Sequence, residues 1–487
     1  PRDRGGRRRR ARGRAGAGLM PVGDVAPEIA VLLAAVGALL AAMALPERRQ
    51  GLCAGVAGAG LVVAAALCAG QIGQERLTFA GVWAIDGASV WARLMILATA
   101  GATTTLGPGW FAGDRRHGEY YAVLLFSTLG AMVLAAAADL MELLVGVLLS
   151  SVTGYALAAW HRDWGPSLEA GVKYFLIGAL ANALLALGVV LMVGTLGATG
   201  YAELSAALVG GAPSPLTVIG TALTATGVAF KLAAVPAHAW MPDVAEGAPA
   251  PSAAFLTVAP KIGGALALAR LVALVPQEGV ALRAVVAALA LATMTLGNLA
   301  ALGQNDARRL LGWSSVSQSG YALVAVAVVG LTPAAAPALL VFLFGYALAT
   351  LLAFAAVTHL RGRTARADYA GLARQRPGAA AALAVAFLSM VGLPPLIGFL
   401  GKLETFRAAI DAGWWWLAAA AVANTVLSLF YYLRFIGPMW FRPSSGAVLS
   451  LDRRSSVAMA ALAAALLLAG LVGEYVLDAA ATGRFAS

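Results

Sequence analysis

Charge is scarce in this chain. Asp, Glu, Lys and Arg make up 12% of its 487 residues, and 61% are hydrophobic. Soluble domains carry about 25% charged residues, so the composition excludes an ordinary soluble enzyme and implies a polytopic membrane protein. Cysteine is scarcer still. Cys53 and Cys68 are the two in the chain and stand at opposite ends of one apolar run. On a helix they lie about 22 Å apart, which excludes a disulfide between them. The four histidines, His117, His161, His238 and His359, are scattered. No metal-ligand spacing, phosphate-binding glycine loop or nucleophile triad occurs.

What is present is a succession of apolar runs, each roughly 18–25 residues and long enough to cross a bilayer. Fourteen can be drawn, from 27–45 to 455–475, with the fifth near 140–160, the seventh near 215–236 and the twelfth near 378–400. They are rich in Ala, Leu, Gly and Val without alternation, so helices are expected and not a barrel. The fold class expected is an all-α polytopic membrane protein of about fourteen transmembrane helices.

Arginine sets the orientation. With the first span starting outside, sixteen arginines fall in inward loops and five outside. By the positive-inside rule both termini lie on the outer side. The segment "PRDRGGRRRRARGRAGAGL" violates that rule with eight arginines. One reading is an arm for nucleic acid or anionic lipid. The reading expected here is that residues 1–19 are a disordered or untranslated extension and that translation starts at Met20.

Lysine is the most informative scarcity. The 34 basic residues include only four lysines, Lys173, Lys231, Lys261 and Lys402, all within or at the edge of spans. Arginine dominates everywhere else, so the remaining lysines should be those that arginine cannot replace. Arginine does not deprotonate in a protein, whereas lysine can exchange its proton. Lys173 sits near a span end, where snorkelling is an equal explanation. Lys231 and Lys261 fall near mid-span, where charge usually marks an ion or proton path.

Two of these lysines accompany a helix break. "FKLAAVP" in the seventh span and "GLPPLIGFLGK" in the twelfth each pair a lysine with proline. Broken helices expose backbone groups at depth, which is tolerable where they line a hydrated cavity. Breaks five spans apart suggest two inverted five-helix repeats, spans 4–8 and 9–13, as in transporters. The organisation expected is 20–118 as an N-terminal three-helix segment, 119–275 and 276–435 as the two repeats, and 436–487 as a C-terminal helix.

The stretches "FKLAAVPAHAWMPDVAEGAPAP", "VAPKIGG", "LLGWSSVSQSGYAL", "SMVGLPPLIGFLGK" and "TVLSLFYYLRFI" resemble the subunit N family of bacterial respiratory complex I, the NADH–quinone oxidoreductase. The resemblance runs in register over about residues 120–440. It implies a membrane subunit that moves protons along a mid-membrane row of charged residues while electrons pass from NADH to quinone. Carried over by position, Lys231 takes up a proton, Lys261 relays it and Lys402 releases it outward. Lys173 and His238 match further family positions. The resemblance implies no cofactor on this chain. FMN, iron–sulfur clusters and quinone, menaquinone if the GC-rich composition reflects an actinobacterium-like source, belong to partner subunits of a hetero-oligomer in the bacterial inner membrane. Nucleic acid is not an implied partner.

One position departs from the family. The glutamate expected in the fifth span, paired with the seventh-span lysine, aligns with Leu148. Glu142, six residues earlier, is either a shifted substitute or an interfacial carboxylate beside Asp139, and the second is expected. Two alternatives therefore stand beside the complex I reading: an Mrp-type cation/proton antiporter subunit, and a structural subunit that does not pump. Asp243 and Glu246 are expected to cap the next helix. Trp414–Trp416 and Tyr431–Tyr432 are expected to be interfacial anchors.

Overall fold

The computed structural model describes residues 21–209, 213–276, 280–444 and 453–485, so the expectation for residues 1–19 lies outside the described part. The chain opens with α1 (Ala26–Ala44) and α2 (Cys53–Ala69). A short hairpin follows, β1 (Arg76–Thr78) against β2 (Trp83–Ile85), antiparallel with Leu77 opposite Ala84. It is a small departure from the all-helical expectation. Next come α3 (Gly87–Trp110), α4 (His117–Ala136), α5 (Leu140–Ala158), α6 (Gly165–Leu196) and the short α7 (Tyr201–Val209).

The seventh apolar run is broken. It forms α8 (Pro215–Lys231), an irregular segment, and α9 (Trp240–Gly247). Four helices follow: α10 (Ala250–Leu274), α11 (Leu282–Leu302), α12 (Ala307–Ala327) and α13 (Ala335–His359). After α14 (Leu372–Gln375) the twelfth run is broken as well, into α15 (Pro377–Val391) and α16 (Ile397–Asp411). It reaches Asp411, eleven residues past the end read from hydropathy, because a second half-helix follows the break. α17 (Trp415–Phe441), α18 (Arg453–Leu471) and α19 (Gly473–Ala481) complete the chain.

Ten helices among the described residues are long and apolar enough to cross a membrane. Their starts are written in the sequence. Asp86, Asp139 and Asp306 accept hydrogen bonds from the first-turn amides of α3, α5 and α12, and Ser214 does so for α8. These caps satisfy amides that have no partner within the helix.

Among the ten candidate spans the most enclosed are α10 and α13, which lie against α3, α12 and one another. The N-terminal helices are tied in by charge. Arg93 of α3 bonds Glu28 of α1 at 3.2 Å and Gln71 at 2.7 Å. Arg270 near the end of α10 meets Asp86, the cap of α3, at 2.8 Å with both side chains almost fully buried. Cys53 and Cys68 are both buried and unbonded to each other.

Candidate functional site: a buried lysine row

The helix break after α8 begins at Lys231, its last residue, which is fully buried. Its Nζ lies 3.5 Å from Ser150 Oγ of α5, and no carboxylate pairs with it among the described residues. Gly264 of α10 makes room for it. A Cβ there would stand 2.8 Å from the Cβ of Lys231, closer than packed carbons approach.

Lys261 lies at mid-length of α10 and is 3% exposed. Its Nζ donates to the Ser315 carbonyl at 2.5 Å and to Ser319 Oγ at 2.7 Å, both on α12. Tyr346 of α13 presents its ring 5.8 Å away, and the Tyr346 hydroxyl meets Ser315 Oγ at 2.7 Å. Lys402, in the first turns of α16 after the second break, is equally buried. It donates to the Val391 carbonyl at 3.1 Å and sits over the ring of Tyr321 at 4.1 Å. Gly392, at φ +92, closes α15 beside it in a backbone conformation that favours glycine.

α12 ties both breaks together. Ser319 Oγ donates to the Leu232 carbonyl, freed where α8 ends. Gln318 Nε2 donates to the Met390 carbonyl at 3.0 Å, freed where α15 ends. Backbone acceptors left by a broken helix need partners at this depth, and two adjacent residues of α12 supply them. The arrangement holds three buried primary amines with hydroxyls, carbonyls and aromatic faces as neighbours. Such groups can hold an amine in either protonation state, because hydroxyls donate as well as accept.

Lys173 stands apart from the row. Its side chain is 43% exposed and bonds Glu169 at 2.6 Å and Asp243 at 3.0 Å. Arg309 joins the same cluster through Asp243 at 2.7 Å and Glu246 at 2.6 Å. Asp243 and Glu246 therefore lie in α9 and pin it to α6 and α12; the following helix α10 starts after Pro249 with no side-chain cap. His238 lies in the broken segment between α8 and α9, its ring 5.7 Å from that of Trp313.

Glu142 is in the first turn of α5, its amide capped by Asp139 and its Oε2 buried with no partner among the described residues. It lies eight residues before Ser150, about 12 Å along the helix, and so is not at Lys231. Leu148 is 41% exposed. It is two residues from Ser150, about 200° around the helix, so the position read as the missing glutamate faces away from the contact with Lys231.

Tyr431 and Tyr432 are not interfacial anchors. Both are buried, with Tyr431 OH on Asn298 Oδ1 at 3.0 Å and Tyr432 OH bonded to Ser314 Oγ. Trp415 and Trp416 are 68% and 43% exposed, as anchors would be. The residues that sequence reasoning missed are the partners of the lysines, Ser150, Ser315, Ser319, Tyr321 and Tyr346, and Gln318, which holds the end of α15. The signal lay in "WSSVSQSGY", four serines and a glutamine inside a span.

Residues 137–428 match the family model "NADH:quinone oxidoreductase/Mrp antiporter, TM". The NADH-quinone oxidoreductase subunit N 1 of Streptomyces griseus is 43% identical over 458 residues, covering 93% of this chain and 96% of that protein. A chain of respiratory complex I from Thermus thermophilus superposes with TM-score 0.81 at 33% identity, covering 94% of this chain and all of that one. A chain of the Mrp complex from Dietzia superposes with TM-score 0.80 at 21% identity over 95% of this chain, a likeness of fold alone.

Proposed function

This chain belongs to the NADH:quinone oxidoreductase/Mrp antiporter family, and we propose that it works as a proton-translocating membrane subunit of an NADH–quinone oxidoreductase. The observation that carries the reading is the buried row Lys231, Lys261 and Lys402, each set on hydroxyl or carbonyl oxygens beside a helix break or a polar stretch of α12. A buried ammonium without a carboxylate partner costs several kcal/mol, an arrangement that a purely structural helix has no reason to keep.

In this reading, a proton from the arginine-rich side reaches Lys231 at the end of α8. It passes inward to Lys261, held by the Ser315 carbonyl and the Ser319 hydroxyl, and from there toward Lys402. Lys402 releases it to the other side along α16. Each lysine repels its charged neighbours, so loading one favours unloading the next. His238, in the break beside Lys231, serves the uptake side, and Lys173 with Asp243 and Arg309 holds α9 over it. The electron carriers, FMN, iron–sulfur clusters and a menaquinone-type quinone, belong to partner subunits, whose redox chemistry drives the cycle.

The proposed topology has fourteen passes in the bacterial inner membrane with both termini outside. Spans 4–8 and 9–13 form two inverted repeats, each with its broken helix, α8/α9 and α15/α16. That arrangement is supported by the two broken helices, each accompanied by a buried lysine.

Tagging this chain and purifying it in mild detergent tests the reading. Co-purifying NADH–quinone reductase activity is the expected result. An intact assembly of small membrane subunits that exchanges cations for protons without NADH would put an Mrp-type antiporter in its place.

A further inference from the structure

The row has a gap between Lys261 and Lys402, and α12 fills it with a side chain that can neither take up nor lose a proton at neutral pH. Gln318 follows Ser315 by three residues and precedes Ser319, the two residues of α12 that hold Lys261. Its amide nitrogen bonds the Met390 carbonyl, one residue before the Val391 carbonyl that holds Lys402. Gln318 thus touches the same helix end as Lys402 and the same helix turn as the ligands of Lys261.

Two further features point to this place. A small cavity of about 10 Å³ is lined by Lys261, Gln318, Ser319 and Tyr346 together with apolar neighbours. That is about the volume one water-sized sphere occupies, and its wall carries the two to four polar partners an ordered water needs. Beside the Met390 carbonyl, the Ser389 hydroxyl is buried with no partner among the described residues. An orphaned buried hydroxyl costs about 1–3 kcal/mol, so Ser389, two residues before the Val391 carbonyl that holds Lys402, calls for a polar visitor.

We propose that Gln318 is a positioning residue for proton transfer between Lys261 and Lys402, its amide orienting a water in the cavity beside Lys261 and fixing the end of α15 where Lys402 docks. No bond to Gln318 itself forms or breaks. The proton leaves Lys261 Nζ for the oriented water, and a proton from that water's hydrogen-bonded chain reaches Lys402 Nζ past Ser389. The inference rests on the lysine-row reading above.

The experiment compares Gln318→Leu, Gln318→His and Lys261→Met in the whole complex, reconstituted in vesicles. It reads NADH–quinone turnover, protons moved per NADH, and assembly. Gln318→Leu is expected to assemble and to lower protons per NADH to the level of Lys261→Met. Gln318→His keeps a hydrogen-bonding side chain and should restore the ratio. A merely structural role would lower assembly and turnover together while leaving the ratio of the assembled complex unchanged. An unchanged ratio for Gln318→Leu beside a lowered one for Lys261→Met overturns this proposal and leaves the row intact. An unchanged ratio for both overturns the row and this proposal together. Should Gln318→Leu fail to assemble, Gln318→Met decides by the same ratio.

Discussion

Removing the carboxylate of Asp86 probes what holds the N-terminal helices to the core. Asp86 accepts from Arg270 at 2.8 Å with the two side chains 0% and 5% exposed. The same carboxylate caps α3, accepting the Ser89 amide at 2.7 Å. Asp86→Ala therefore takes away two things. It strands the Arg270 charge, a loss of about 3–5 kcal/mol for breaking a buried pair from one side. It also removes the cap, worth about 1 kcal/mol. The loss expected is about 4–6 kcal/mol, measured as the unfolding free energy of the purified subunit in bicelles. Neutralising both partners, Asp86→Asn with Arg270→Gln, leaves no bare charge and should recover most of it, because the penalty lies chiefly in the stranded ion. A loss under about 1 kcal/mol for Asp86→Ala, or a double variant no better than the single ones, would refute the reasoning.

Three other outcomes follow from the geometry. His161, in the loop between α5 and α6, accepts from Trp110 Nε1 at 3.1 Å through Nε2 while Nδ1 faces Asp114, so the neutral ring is the bonded one. Burial lowers its pKa below the ordinary histidine value. Stability is therefore complete above about pH 6.5 and falls as pH drops below that toward the lowered value, a slope in acid denaturation that His161→Gln should flatten. Gly264→Ala places a Cβ 2.8 Å from that of Lys231 and is expected to cost about 1–3 kcal/mol by overpacking, read as lowered thermal stability of the complex. Ser150→Asp sets a carboxylate at Lys231 and should change protons per NADH, whereas Leu148→Glu, on the far side of α5, should not.

The sequence made the helices legible because membrane spans are written as long apolar runs bounded by capping residues. Asp139 and Asp306, each just before a helix, do that work here. It also marked the lysines, since a charge inside an apolar run needs a reason. The partners were harder to see. Ser315 and Ser319 meet Lys261 only because α12 packs across α10, a contact between residues more than fifty positions apart. The faces were harder still. Tyr431 and Tyr432 look like interfacial anchors in a linear reading, but the packing of α17 against α11 and α12 turns them inward onto Asn298 and Ser314. Leu148 meets the same limit: alignment gives a position along the helix, and only packing gives the side it faces.

The lysine row stands or falls on the number of protons moved per NADH in vesicles holding the complex with Lys231→Met, Lys261→Met, Lys402→Met or Lys173→Met. The first three should lower the ratio in assembled enzyme, and Lys173→Met, on the exposed ion-pair cluster, should leave it close to normal. Three buried-lysine variants that assemble, turn over and pump like the unaltered complex would contradict the row.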